Sequence, residues 1–297
     1  MRQMRLPALL LTVVLILPAA ATSHADDLRV GAAAAELAAD DSMVIAGGIL
    51  ARHVKGQEGK LRAVAVVLEK PGRAILAIVA CDVLMMNRDL LDPVTEKIER
   101  TCGIPASHVM IHCTHTHHAP STCRVHGYDR DERFCKTVQR AIHDAVVEAK
   151  SRLAPVTFHF KQSEEKTVGS NSRLLLSDGK IFWVGPRDDA VRPTGPFDPE
   201  LPVLAFRDSK DRLRAMLFGH STHTIGTLSG SVRSPAFYGM VAQQLESELG
   251  GRVVFLEGAS GSTHRLKVEP AEAVNRIKRA VRDALSQAER QEVIRLA

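Results

Sequence analysis

Apolar residues recur along this chain with two different periods, which predict alternating strands and helices. Two β-branched runs at 61–69 and 73–81 flank Lys70-Pro71-Gly72 and predict a strand–turn–strand. After Asn87 the apolar positions follow a helical period, and Gly103 with Pro105 ends that helix. A strand at 108–113 comes next, so this part of the chain predicts a β-α-β unit.

The same order returns in the second half of the chain. Residues 203–207 and 214–219 predict strands, 237–249 a helix and 252–256 a further strand, which leads into Gly258-Ala259-Ser260-Gly261. Further helices are predicted from about 130 to 153 and from Pro270 onward. The sequence therefore predicts an α/β fold, with a mixed, largely parallel sheet built from β-α-β units and flanking helices.

The first 25 residues have the pattern of a secretory signal peptide. Arg2 and Arg5 precede an apolar run over 6–21, and Ser23-His24-Ala25 is a small-x-small cleavage signal. The alternative is an uncleaved membrane anchor, because the run approaches spanning length. We expect cleavage, a single domain over 26–297, and a secreted or periplasmic protein.

The charge composition argues against one class of binding partner. The net charge of +5 falls to +3 when the leader is removed, and no basic run is interleaved with aromatic residues, so we expect no nucleic-acid partner. Five cysteines allow one or two disulfides in an oxidising compartment, with Cys123 and Cys135 as the nearest local pair.

Histidines cluster at two predicted strand ends. Four lie within 112–118, and strand alternation past Cys113 would point His115 and His117 to one side. His220 and His223 follow the strand at 214–219. Because zinc favours histidine nitrogens, one shared metal site is the simplest account, although a solvated polar loop is the alternative for the first cluster.

Several motifs resemble the neutral/alkaline (non-lysosomal) ceramidase family, in order and over nearly the whole mature chain. Thr114-His115-Thr116-His117 with Ala119-Pro120 is similar to the family's THTHSGP motif, and Gly219-His220-Ser221-Thr222 to its H-(G/P)-T motif. Further similar stretches are Leu28-Arg29-Val30-Gly31-Ala32, Cys81-Asp82-Val83-Leu84, Gly195-Pro196-Phe197-Asp198-Pro199-Glu200 and Phe255-Leu256-Glu257-Gly258-Ala259-Ser260-Gly261.

The resemblance implies an exported zinc-dependent hydrolase that cleaves an amide (N-acyl) bond of a ceramide-like lipid or another small molecule, with peripheral membrane contact. It implies that His115 and His220 bind the metal, that His117 polarises the substrate carbonyl, that Ser234 is the active-site serine and that Arg173 binds substrate. His117, His223, Asp82 or His264 are the candidates for completing a rearranged metal site.

Departures from the family pattern support an alternative. Ala236 stands where the serine motif has aspartate, and Ser262 replaces the aspartate of the FLQGAAGD segment. In the family pattern, the remaining ligands, a glutamate and a tyrosine, lie beyond the last residue of this sequence. The alternative is a ceramidase-like binding domain without hydrolase activity. A serine hydrolase that uses Ser234 ranks last, because no G-x-S-x-G elbow is present.

Overall fold

The computed structural model describes residues 28–265, 267–293 and 295–296. The predicted signal peptide lies outside this part of the chain. The strands are β1 (Arg29–Glu36), β2 (Arg62–Lys70), β3 (Ala74–Cys81), β4 (Val109–Cys113), β5 (Ala154–Pro155), β6 (Thr157–Glu164), β7 (Ser170–Asn171), β8 (Leu174–Leu176), β9 (Ile181–Phe182), β10 (Ala190–Pro193), β11 (Glu200–Arg207), β12 (Leu213–His220), β13 (Arg252–Glu257), β14 (Thr263–His264) and β15 (Glu289–Gln291). The helices are α1 (Arg88–Cys102), α2 (Glu132–Ser151), α3 (Ala236–Leu249) and α4 (Pro270–Ser286), with a short 3-10 turn at Ala106–His108.

The first large sheet has the strand order β4-β3-β2-β1-β5. The pairs β1/β2 and β2/β3 are antiparallel, whereas β3 and β4, which flank α1, run parallel. Their register aligns Cys81 with Cys113. The two strands therefore end side by side, which sets Asp82 next to the histidine-rich loop that begins at Thr114.

The second large sheet has the order β13-β12-β11-β6-β15. Here β11 pairs antiparallel with both β6 and β12, and β12 pairs in parallel with β13 across α3. The parallel register aligns His220 with Glu257. The loops that carry His223 and Ser260 therefore leave the same edge of this sheet.

The two sheets pack face to face, and each is covered by helices on its outer side. Alternate residues of β2 divide between the two cores, because successive side chains of a strand point to opposite faces. Val64 and Val66 join the core between the sheets, while Ala63 and Ala65 join the core under α1 and α2. A third core lies between the second sheet and α3 with α4. The result is a four-layer helix–sheet–sheet–helix arrangement.

The mixed α/β class agrees with the prediction, but the largely parallel sheet is not confirmed. Each large sheet contains one parallel pair, and its other pairs are antiparallel. The reason is connection length: the turn between β2 and β3 is far too short for the crossover that parallel neighbours require.

The sequence allowed a disulfide between Cys123 and Cys135. All five cysteines, Cys123 and Cys135 included, are free thiols, so the local disulfide is not formed in this structure. None of the helices in the described ranges combines the length and the apolar character that crossing a bilayer requires.

Candidate metal centre

The site begins where β3 and β4 end. Asp82 is buried, and its carboxylate accepts hydrogen bonds from the Arg62 backbone N–H (2.9 Å) and the Thr114 hydroxyl (3.1 Å). Burial raises the pKa of Asp82 to about 6, although these donors and the nearby Arg62 charge act against the increase. Asp82 thus ties the first residue of the histidine-rich loop to the sheet.

His115 has a backbone conformation that a side chain rarely adopts. Its φ is 59°, in the left-handed region, where a residue with a Cβ is strained by about 1 kcal/mol or more. The strand ends at Cys113, so this turn, rather than continued strand alternation, directs the His115 ring. Strain of this kind persists where the surrounding structure holds it, and it is concentrated at functional sites.

Three imidazoles converge on one point. The Nε2 atoms of His115 and His117 are 3.4 Å apart, those of His115 and His223 are 3.3 Å apart, and those of His117 and His223 are 2.9 Å apart. The ligand atoms of these three residues all lie within 4.8 Å of one another, close enough to share one metal ion. We call them the histidine triad.

Each ring of the triad is oriented through its other nitrogen. The Nδ1 atoms of His115, His117 and His223 lie 2.9, 3.0 and 3.2 Å from the backbone carbonyls of Leu84, Gly47 and Ser260 respectively. A carbonyl can only accept a hydrogen bond, so each Nδ1 carries the proton and each Nε2 presents a lone pair. Carbonyl partners of this kind are typical of histidines that bind metals.

The triad fits a tetrahedral cation. Three neutral rings in this tautomer have no proton between their Nε2 atoms, so the facing lone pairs repel one another unless a cation lies between them. Zinc–nitrogen bonds of about 2.0–2.1 Å at tetrahedral angles place two ligand nitrogens about 3.3–3.4 Å apart. Two of the three separations match this value, and the third is slightly shorter.

Burial keeps the triad neutral. It lowers the pKa of all three rings, and with the neighbouring His223 and His115 it brings that of His117 to about 3. Metal ligation requires unprotonated imidazoles, so the ligands are ready to bind throughout the neutral range.

Gly47 is a position where only glycine fits. Its φ is +91°, and a Cβ built there would lie 2.4 Å from Nδ1 of His117. The absence of a side chain lets its carbonyl approach this ring and accept its proton.

Comparison with known proteins identifies the fold. No family model matches the chain, and no curated protein matches at a significant level. Among solved structures, the neutral ceramidase from Pseudomonas aeruginosa aligns with a TM-score of 0.74 at 20% identity over 88% of this chain. A ceramidase solved in complex with C2 gives the same score and identity. The chain has a ceramidase-like fold. It spans less than half the length of these two structures, which it covers to 45% and 44%.

Within this ceramidase-like fold, His220 is not among the residues that converge with His115. The side chain of His220 is buried: its Nδ1 bonds to the Tyr238 hydroxyl at 2.5 Å, and its Nε2 lies 3.0 Å from the Glu165 carbonyl. Strand alternation gives the reason. Met216 and Phe218 face the core under α3 and α4, so His220, two residues on, faces it too. The ring of His223 lies beside that of His115 instead.

Ser234 lies outside the triad. It is fully buried, its hydroxyl donates to Glu58 (2.7 Å) and accepts from the Ala236 backbone N–H (2.9 Å), and its carbonyl accepts from Thr116 (2.8 Å). These contacts fix the start of α3 and hold the histidine-rich loop. They leave the hydroxyl bonded within the protein rather than facing the triad.

Arg173 lies close enough to His223 for its positive charge to lower the pKa of that ring. Its guanidinium covers the Trp183 ring at 3.8 Å and donates to the Gly261 carbonyl at 3.0 Å. His264 stacks on His223, with ring centroids 4.5 Å apart and planes 12° from parallel. The sequence motifs did not single out His264 as more than a candidate ligand, although its place after the glycine-rich Gly258–Gly261 segment offered a signal.

Glu257 supports the turn that faces His223. It ends β13, and its carboxyl group accepts a short hydrogen bond from the Ser260 hydroxyl, while the Ser260 carbonyl accepts from His223. Burial raises the pKa of Glu257 to about 8.

Proposed function

We propose that this chain is an exported, metal-dependent hydrolase that cleaves the amide bond of an N-acyl lipid. The observation that carries the proposal is the convergence of three Nε2 lone pairs at 2.9–3.4 Å, with every Nδ1 committed to a carbonyl. The ceramidase-like fold supports amide hydrolysis as the reaction class.

The metal we propose is zinc. The residues that would hold it are His115, His117 and His223, a set of three protein ligands that is common in catalytic zinc sites. When bound, zinc supplies Lewis-acid chemistry, polarising a carbonyl and making water a stronger nucleophile. On this view His117 is a ligand, instead of the carbonyl-polarising group that the resemblance to ceramidases implies.

The protein's own groups would orient the substrate. Arg173 holds a positive charge beside the triad, fixed by the Gly261 carbonyl and the Trp183 ring. Hydrogen-bond donors of this kind stabilise negative charge that develops on an amide oxygen. Ser234 supports the loop and does not act as a nucleophile, since its hydroxyl is buried and bonded to Glu58.

A lipid substrate is supported by the surface near the site. The exposed large hydrophobic residues of the described chain that belong to, or lie within three positions of, residues contacting the triad or Arg173 include Ile49, Leu50, Met85 and Trp183. We call these four residues the apolar rim. Exposed apolar clusters mark surfaces that bind proteins, ligands or membranes. We propose that this rim makes peripheral contact with a lipid surface.

The test combines metal analysis with turnover. Purified protein should contain close to one zinc per chain and should release fatty acid from an N-acyl amino alcohol. A chelator should abolish the release, and added zinc should restore it. His126→Ala, which changes a histidine outside the triad at a positive-φ position, serves as the matched control and should keep both properties. Metal-free, inert protein with the fold intact would refute the proposal and favour the binding-domain alternative.

A further inference from the structure

A fourth imidazole lies against the triad without belonging to it. His264 is in β14, which pairs with β7, and its ring stacks on His223. Its nitrogens are not among the ligand atoms that converge on one point. His264 therefore has a role other than that of the three converging rings.

Its hydrogen bonds define its tautomer. The Ser172 hydroxyl donates its proton to the Ser262 carbonyl at 3.0 Å. The same oxygen therefore accepts from Nδ1 of His264 at 2.8 Å and from Nη1 of Arg173 at 3.3 Å. With the proton on Nδ1, Nε2 carries a lone pair, and no residue in the described ranges donates to it.

Arg173, which donates to the same Ser172 hydroxyl, has further N–H donors without an acceptor. Its Nη1 donates to Ser172 and the Trp183 carbonyl, and its Nη2 donates to the Gly261 carbonyl. A guanidinium has five N–H donors, so Nε–H and one hydrogen of Nη2 remain without an acceptor in the described chain. His264 and Arg173 are therefore both hydrogen-bonded to the Ser172 hydroxyl, and His264 keeps a free acceptor while Arg173 keeps free donors.

The acceptor on His264 and the donors on Arg173 together would discriminate between ligand groups by their charge. An anionic group would be attracted by the guanidinium but repelled by the Nε2 lone pair, and a cationic group would meet the reverse. A hydroxyl can donate to one and accept from the other. We propose that His264 is a specificity-determining residue, whose Nε2 accepts a hydrogen bond from a neutral hydroxyl on the substrate beside the reacting amide. The identity of the reacting bond rests on the function proposed above.

The first test measures binding without turnover. Two non-cleavable ureas, 1-dodecyl-3-(2-hydroxyethyl)urea and 1-dodecyl-3-ethylurea, differ by one hydroxyl and are titrated calorimetrically into the zinc-loaded protein. We expect the hydroxylated urea to bind about 3- to 10-fold more tightly, the range of one neutral hydrogen bond. His264→Phe, which keeps a ring to stack on His223, should reduce the ratio to about one. His264→Gln, which keeps an acceptor, should retain part of it.

The second test measures turnover of matched substrates. The kcat/KM for an N-acyl aminoethanol should exceed that for the N-acyl ethylamine and the N-acyl glycine of the same chain length, and His264→Phe should remove the preference over the ethylamine without loss of zinc. Equal binding of the two ureas to the unaltered protein, or a preference that survives in His264→Phe, overturns the inference. Absence of turnover with the urea preference intact would instead count against the proposed function alone.

Discussion

Replacing His223 and His220 separately distinguishes the two possible ligand sets. His223→Ala removes one of three converging Nε2 atoms. Loss of a residue that only orients a ligand typically weakens metal binding by 10–100-fold, so loss of a ligand should weaken it by more than about 100-fold. His220→Ala removes two buried hydrogen bonds and creates a cavity, which should lower stability by about 2–4 kcal/mol while leaving zinc affinity nearly unchanged.

The assay measures both quantities on both variants. Zinc affinity is obtained by competition with a chromophoric chelator, and stability by urea unfolding of the metal-free proteins. The structure predicts opposite outcomes: weak zinc binding with nearly normal stability for His223→Ala, and normal zinc binding with reduced stability for His220→Ala. If His220→Ala loses zinc and His223→Ala retains it, the assignment of the triad from this geometry is wrong.

Three further changes test other parts of the structure. Gly47→Ala should weaken zinc binding by about 10–100-fold, because its Cβ would displace the His117 ring. Gly72→Ala is the control: it has a similar φ but open space around it, and it should cost only about 1 kcal/mol of stability. Equal effects of the two substitutions on zinc binding would contradict this. Glu257 has a folded pKa of about 8 against 4.5, so the folded state holds an extra proton between these values, and stability falls as pH rises, by up to about 1.4 kcal/mol per pH unit. Glu257→Gln should therefore gain in melting temperature relative to the unaltered protein from pH 5 to pH 9, and a constant difference would refute the shift. Trp183 is the only tryptophan and is 71% exposed, so its emission should move to shorter wavelength when phosphatidylcholine vesicles are added; an unchanged spectrum would argue against membrane contact.

The helices and the strands around α1 and α3 could be predicted because each satisfies a local rule, whereas strand β6 was not predicted. The helix predicted after Asn87 begins at Arg88 with Asn87 as its N-cap and ends before Gly103, whose φ of 64° suits a glycine. The helix predicted from Pro270 begins there. What local patterns could not supply was the pairing of strands, because antiparallel and parallel neighbours have similar sequences when both faces of a sheet are buried.

The candidate site was predicted in part. Strand alternation predicted that His115 and His117 point to one side, but their convergence comes from the turn at His115, with its left-handed φ. The choice of His220 over His223 came from motif similarity, while the alternation of Met216, Phe218 and His220 already indicated a core position. The same alternation favours His223, which lies beyond the strand, as the histidine available to meet His115.

The position of His223 explains why the triad is not encoded by one short sequence motif. His115 and His117 follow a strand of the first sheet, whereas His223 follows a strand of the second, more than a hundred residues later. Their Nε2 atoms meet only because the two sheets pack through the shared core that contains Val64, Val66 and Leu217. Facing lone pairs would push these loops apart, so the geometry is stable only if the packing holds them or a cation bridges them. Metal binding would thus draw on, and reinforce, the contact between the two halves of the fold.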